Sequence, residues 1–166
     1  MVTNIFVTNI FRDRKDAGQY LARRLTKYRN RDDVVVLALP RDGVPVAYEV
    51  AKALNAPLDI FVVSNSLDVT GKTVIIVDDG MATGSTMRAA VRAVRKKKPR
   101  KIVIAVPVGE REVCNSFKQE ADTDIICAMM PQPFNPVDTF YRHFAPTTDV
   151  EVQQLLRQVQ QTKAAA

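Results

Sequence analysis

Residues 74–86 read VIIVDDGMATGST. Four β-forming apolar residues run straight into Asp78 and Asp79. Gly80, Ala82, Gly84 and Ser85 follow, small enough to let the backbone approach a ligand, and Thr83, Ser85 and Thr86 add hydroxyl donors. Adjacent carboxylates repel a bare phosphate, so they suit sugar hydroxyls or a magnesium ion. A loop of exposed amides that opens a helix suits a phosphate. The combination predicts a site for a phosphorylated sugar. Spacing excludes two other phosphate binders: GMATGST is one residue short of a P-loop between its glycines and has no lysine, and the chain holds no GxGxxG fingerprint.

Such a loop works at the carboxyl end of a parallel strand, and the rest of the chain predicts that setting. VVVLALP at 34–40 is continuously apolar, and Ala47, Val50, Ala51 and Leu54 recur after it at helical spacing. Further apolar runs at 58–63, 73–77, 102–108 and 124–130 are the expected second to fifth strands. Helices are expected around Met87 to Val94, around Val113 to Phe117, and around Val152 to Val159. Strands apolar throughout and separated by helices predict an α/β fold, a doubly wound, mostly parallel five-stranded sheet flanked by helices. Asp16 is the expected cap of a first helix whose Ala17, Leu21, Leu25 and Tyr28 share a face. One connection is odd. Only SNSLDVTGK, residues 64–72, joins the second and third strands, where a parallel crossover ordinarily takes about a dozen residues or more. Either the crossover is bare and extended, or the second run is no parallel core strand.

With 166 residues, 46% of them apolar, the chain suits one domain over 12–160, with an extended arm at 1–11 and a frayed tail at 161–166. The arm holds VTNIFVTNIF, a five-residue duplication that fits neither helix nor strand period. No run spans a bilayer and the start lacks the zones of a secretory signal, so a cytoplasmic protein without membrane contact is expected. A net charge of +6 favours anionic partners, and RAVRKKKPRK at 92–101 is its densest segment, either a solvated helix end or an RNA contact. Cys114 and Cys127 have no ligand spacing and are expected to be free thiols, with no zinc site.

The thirteen residues 74–86 resemble the phosphoribosyl-pyrophosphate (PRPP) signature of type I phosphoribosyltransferases. LALPRDGVPVAYEVAKAL at 37–54 is similar to the first strand, pyrophosphate loop and helix of a bacterial group of predicted phosphoribosyltransferases. DRKDAGQYLARRL and PQPFNPVDTFYRHF resemble the two ends of that group. The resemblance implies that Asp78 and Asp79 hold the ribose hydroxyls with the help of Mg2+, directly or through water. It implies that Ala82, Thr83, Gly84, Ser85 and Thr86 wrap the 5-phosphate, and that Arg41, Asp42 and Gly43 receive pyrophosphate. Asp78, Asp79 and Arg41 are the implied catalytic residues. The implied reaction moves the phosphoribosyl group from PRPP to a small nitrogenous acceptor, and a homodimer is implied.

Three departures qualify it. The group more often has Gly in place of Asp42, so a carboxylate here is expected to weaken pyrophosphate binding or to meet magnesium through water. The long insertion that usually lies between the second and third strands, and covers the reacting centre, is reduced to residues 64–72. Ala82 replaces the Asp that the 6-oxopurine branch carries before its Thr-Gly pair, which argues against hypoxanthine and guanine. Phe134, Phe140, Tyr141 and Phe144 lie beyond the fifth strand, where they could stack on an acceptor or close a core. His143 is expected at the surface. Two further functions stay open at this point: a PRPP-binding regulator that contacts RNA, and a magnesium phosphatase with Asp78 or Asp79 as nucleophile.

Overall fold

The computed structural model describes residues 10–62, 68–120 and 122–164. Val34–Ala38 (β1) and Thr73–Val77 (β3) are buried at every position, as strands covered on both faces must be. Leu58–Ile60 (β2), Lys101–Val108 (β4) and Thr123–Met129 (β5) complete a five-stranded sheet of order β2-β1-β3-β4-β5, parallel in every pairing. Side-chain alternation splits the core into two layers. Val34, Val36, Ala38, Ile75 and Val77 meet Arg14–Ala22 (α1), Gly43–Leu54 (α2) and Asp149–Ala164 (α5). Val35, Leu37, Val74, Ile76 and Ile104 meet Ser85–Arg95 (α3) and Arg111–Lys118 (α4).

β2 and β3 flank β1 as parallel strands, and the described part of the connection between them, residues 61–62 and 68–72, holds no helix. Val69 anchors its far end, 1% exposed in the α3 layer. Residues 63–67, the rest of that connection, lie outside the described residues, as do residues 1–9 of the expected arm. The second strand is shorter than the apolar run at 58–63, and the last helix runs to Ala164, past the domain end expected at 160. The cap of α1 is Asp13, whose side chain accepts from the Asp16 amide at 2.8 Å; Asp16 instead accepts from the Arg12 amide. Cys114 and Cys127 are free thiols.

Two features bring distant chain segments to the carboxyl ends of the strands. A Cβ on Gly18 would stand 2.7 Å from the Val46 carbonyl oxygen, so only glycine lets α1 lie this close to α2. That approach carries Arg14, one turn earlier, to the start of α2. Residues 131–147 then fold back over the strand ends, with Phe11, Phe140, Tyr141, Val108 and Ala17 forming a third apolar cluster.

At the opposite end of the sheet, Asp33 ties the entry of β1 to that of β3. It accepts from Arg31 Nη2 at 2.7 Å and from the Thr73 hydroxyl at 3.1 Å. The Arg31 hydrogen bonds, then that from Thr73, lower its pKa to about 2 from an ordinary 3.8. A depressed carboxylate contributes stability above its unfolded pKa and loses it as pH falls through the folded one. NMR titration of the Asp33 carboxyl should therefore give a midpoint near 2. A midpoint at the ordinary value would mean that the Arg31 and Thr73 contacts are not formed in solution.

Candidate functional site

β3 ends at Val77, and the chain then turns through the acidic pair into α3. Asp78 is partly buried and Asp79 is 8% exposed. Asp78 Oδ1 accepts from the Asp79 amide at 2.8 Å, and Asp79 Oδ2 accepts from Arg14 Nε at 3.2 Å. Asp78 Oδ2 and Asp79 Oδ1 accept from no N–H group among the described residues, and the two carboxyl side chains stand close enough to share a hydrogen bond with each other. Burial, and then the neighbouring charge of Asp79, push the Asp78 carboxyl well above the ordinary range. Burial also raises Asp79, against the opposing pull of the Arg14 guanidinium.

Ala82, Thr83, Ser85 and Thr86 are exposed around the start of α3, and with Asp78 and Gly84 they line a recess of about 110 Å³. The amides of Ala82, Thr83, Gly84, Thr86 and Met87 donate to no acceptor among the described residues. An N-terminus of this kind is a ready anion seat. The Thr83 hydroxyl donates to the Ser85 hydroxyl at 3.2 Å. Gly80 and Met81 behave differently from their neighbours. A Cβ on Gly80 would press on Val137, and Met81 forms a parallel bridge to Gly109, so both face protein.

The loop at 41–43 leads from β1 into α2, with a cis peptide between Pro40 and Arg41. A Cβ on Gly43 would stand 3.2 Å from Asp78 Oδ1, so this glycine sets the acidic pair against the start of α2. Arg41 is exposed and pairs with Asp149 at 3.2 Å. Asp42 Oδ1 accepts from the Thr147 amide at 2.9 Å and lies 3.3 Å from Arg14 Nη2, while 45% of the side chain stays exposed. This engages one oxygen of a residue on the loop expected to receive pyrophosphate.

Arg14 is the residue that sequence reasoning missed. It is 7% exposed, and besides the two acids it donates to the Ala145 carbonyl and lies over the Phe144 ring, 3.9 Å from its centre. Its only signal in the sequence is a position just after the Asp13 cap. The Tyr141 hydroxyl donates to the Asp79 carbonyl, so the 131–147 segment grips the acidic turn on both sides of Arg14. Phe140 and Tyr141 close a core and Phe144 covers Arg14, which leaves Phe134, half-buried against Phe140, as the outermost ring. His143 is exposed. In the basic stretch 92–101, Arg95 pairs with Glu120 and Asp122, and Lys101 with Asp124, so part of that charge is neutralised within the fold.

Among the described residues no group of three or more His, Cys, Asp or Glu side chains could cage a metal. Asp78, which lines the recess, and the adjoining Asp79 fit a hydrated magnesium ion, which commonly takes one or two carboxylates and completes its shell with water and substrate phosphates.

The sequence model of the phosphoribosyl transferase domain matches residues 63–139. A Mycobacterium tuberculosis H37Rv protein, whose name places it among the phosphoribosyl transferases, is 33% identical over 203 residues, covering 86% of this chain and 45% of its own length. The chain belongs to the phosphoribosyltransferase family. It thus spans less than half of that relative. The match also runs over more positions than this chain of 166 residues possesses, so the relative contains residues with no counterpart here. Bifunctional protein PyrR of Clostridium novyi is 32% identical over 117 residues, covering 54% of this chain and 66% of its own. Among solved structures, TT1426 from Thermus thermophilus superposes with a TM-score of 0.80 at 29% identity, over 89% of this chain and 98% of that one.

Two neighbouring, poorly hydrated carboxylates are a cost to the fold while nothing neutralises them. Asp78→Asn should therefore stabilise the ligand-free protein by on the order of 1 kcal/mol near pH 8. The gain should shrink as pH falls and Asp78 takes up its own proton, because a raised carboxyl pKa makes the native state less stable only where the group is ionised. Thermal unfolding of both proteins across that range checks the sign.

Proposed function

We propose that the chain binds PRPP and transfers its phosphoribosyl group to a small nitrogenous acceptor, releasing pyrophosphate. The observation that carries this reading is the juxtaposition at one strand end of an acidic pair, of which Asp78 lines the recess, and five amides at the start of α3 that meet no acceptor among the described residues. The carboxylates accept from ribose hydroxyls; the amides, with Thr83, Ser85 and Thr86, donate to the 5-phosphate. Arg41 can leave its exposed partner Asp149 for the pyrophosphate. Asp78 and Asp79 would also hold magnesium, directly or through water, and the ion supplies neutralisation of the leaving charge.

In the reaction, the bond from the anomeric carbon to the pyrophosphate oxygen breaks and its electron pair departs with pyrophosphate. The acceptor nitrogen supplies the pair for the new bond and then loses a proton. Positive charge grows on the ribose ring between these events, and the carboxylates below it favour that charge electrostatically. No side chain need become a covalent intermediate. A phosphatase would need Asp78 or Asp79 free as a nucleophile, and the Arg14 contact and buried setting argue against Asp79 in that role.

A second reading, PRPP binding without turnover, draws on the short connection between β2 and β3. Without a cover, water reaches the developing cation, which threatens transfer more than binding. The RNA-binding version has less support, because Arg95 and Lys101 are already paired with acids.

Calorimetric titration with PRPP and magnesium, followed by a pyrophosphate-release assay with a panel of bases, tests the proposal. Binding is expected, and the Asp78→Asn, Asp79→Asn double variant should weaken it by about 100-fold, the worth of two charge-assisted contacts. Equal binding by parent and double variant would overturn the site. Base-dependent release supports transfer; binding without release supports the second reading.

A further inference from the structure

We propose that Arg14 is a positioning residue that joins Asp42 of the 41–43 loop to Asp79 of the acidic pair, so that Asp42, through its engaged oxygen, supports the ribose site and does not simply oppose pyrophosphate. The inference rests on the phosphoribosyl reading of the site. It assigns a role to the two residues that this reading leaves unused or in conflict.

Four observations carry it. Asp42 occupies the N-cap position of α2, yet its side chain caps nothing there. Its Oδ1 is engaged by the Thr147 amide and faces Arg14 Nη2, while Arg14 Nε holds Asp79 Oδ2. The guanidinium is fixed by the Ala145 carbonyl and the Phe144 ring, and its stem is buried. A planar fork can serve three acceptors in one orientation, which a lysine ammonium cannot do. Finally, Gly18 allows the close helix approach that delivers Arg14 to this place. The result is one charged chain, Asp42 to Arg14 to Asp79, that spans the 41–43 loop, α1 and the acidic turn. The orientation of Asp79 then depends on a carboxylate in another loop.

This reverses the expectation from composition alone. If Asp42 faced the leaving group, Asp42→Gly would relieve repulsion and strengthen PRPP binding. In the charged chain, the same change strips Arg14 of one partner and leaves the Thr147 amide without an acceptor, so the segment beside Asp79 loosens.

The test is titration of the whole chain with magnesium plus PRPP, and separately with magnesium plus ribose 5-phosphate, which has no pyrophosphate to repel. Asp42→Gly should weaken both ligands by about fivefold or more, the effect of one unsatisfied buried donor. Asp42→Asn keeps an acceptor for Thr147 and should recover part of the loss. Arg14→Gln should weaken both ligands at least as much, and adding Asp42→Gly to it should cost little more. Stronger PRPP binding by Asp42→Gly with ribose 5-phosphate unchanged would overturn the proposal, as would no change in either. Unfolding of the two single variants and their double provides a readout that needs no ligand: destabilisation below the sum supports the charged chain, and additivity overturns it. If the parent binds neither ligand, the phosphoribosyl reading falls and the role in ligand binding falls with it, while the unfolding cycle still decides whether the charges act together.

Discussion

Two carboxylates side by side at the edge of an apolar sheet repel each other and are short of water. Everything around residues 78–79 answers that constraint. Arg14 supplies a buried counter-charge to Asp79, the Asp79 amide donates to Asp78, and Tyr141 secures the carbonyl of the same turn. The remaining oxygens meet no N–H donor among the described residues, and Asp78 lines the recess beside the start of α3. A parallel sheet favours such an arrangement, because strand ends and helix starts gather on one side, where amides and acids can share a ligand.

The supports come from far apart in the chain. Arg14 lies 65 residues from Asp79, and the Thr147 amide 105 from Asp42. The 131–147 segment is therefore part of the fold around the acidic turn, and of the two roles its rings suggest in the sequence, Phe140 and Tyr141 take that of closing a core. With residues 64–72 too short to form a broad cover, this C-terminal segment is the described element that shelters the acidic turn. It shields the protein side of Asp79, whereas Ala82, Thr83, Ser85 and Thr86 stay exposed. That asymmetry favours ligand entry over exclusion of water.

The central sheet was legible because β1, β3 and β4 are apolar at nearly every position, and the acidic turn because its residue types break so sharply from the strand before it. Local competition was harder to read. Asp13 and Asp16 both suit a cap, and the hydrogen bond from the Asp16 amide decides for Asp13. Gly80 looks like loop freedom but its missing side chain makes room for Val137. The contacts of Arg14 with Asp42 and Asp79 were out of reach, since a single sequence does not reveal which charges meet across a fold. The family resemblance pointed to the loop at 41–43, which the fold sets beside the acidic pair, while the partners of Asp42 could be found only in three dimensions.

The most direct measurement is a crystal structure of the chain with magnesium and PRPP at saturating concentration. The 5-phosphate is expected on the amides of residues 82–86, the ribose hydroxyls on Asp78 and Asp79, and Asp42 still turned to Arg14 and Thr147. A phosphate seated elsewhere, or a ribose that leaves both carboxylates untouched, would contradict this arrangement.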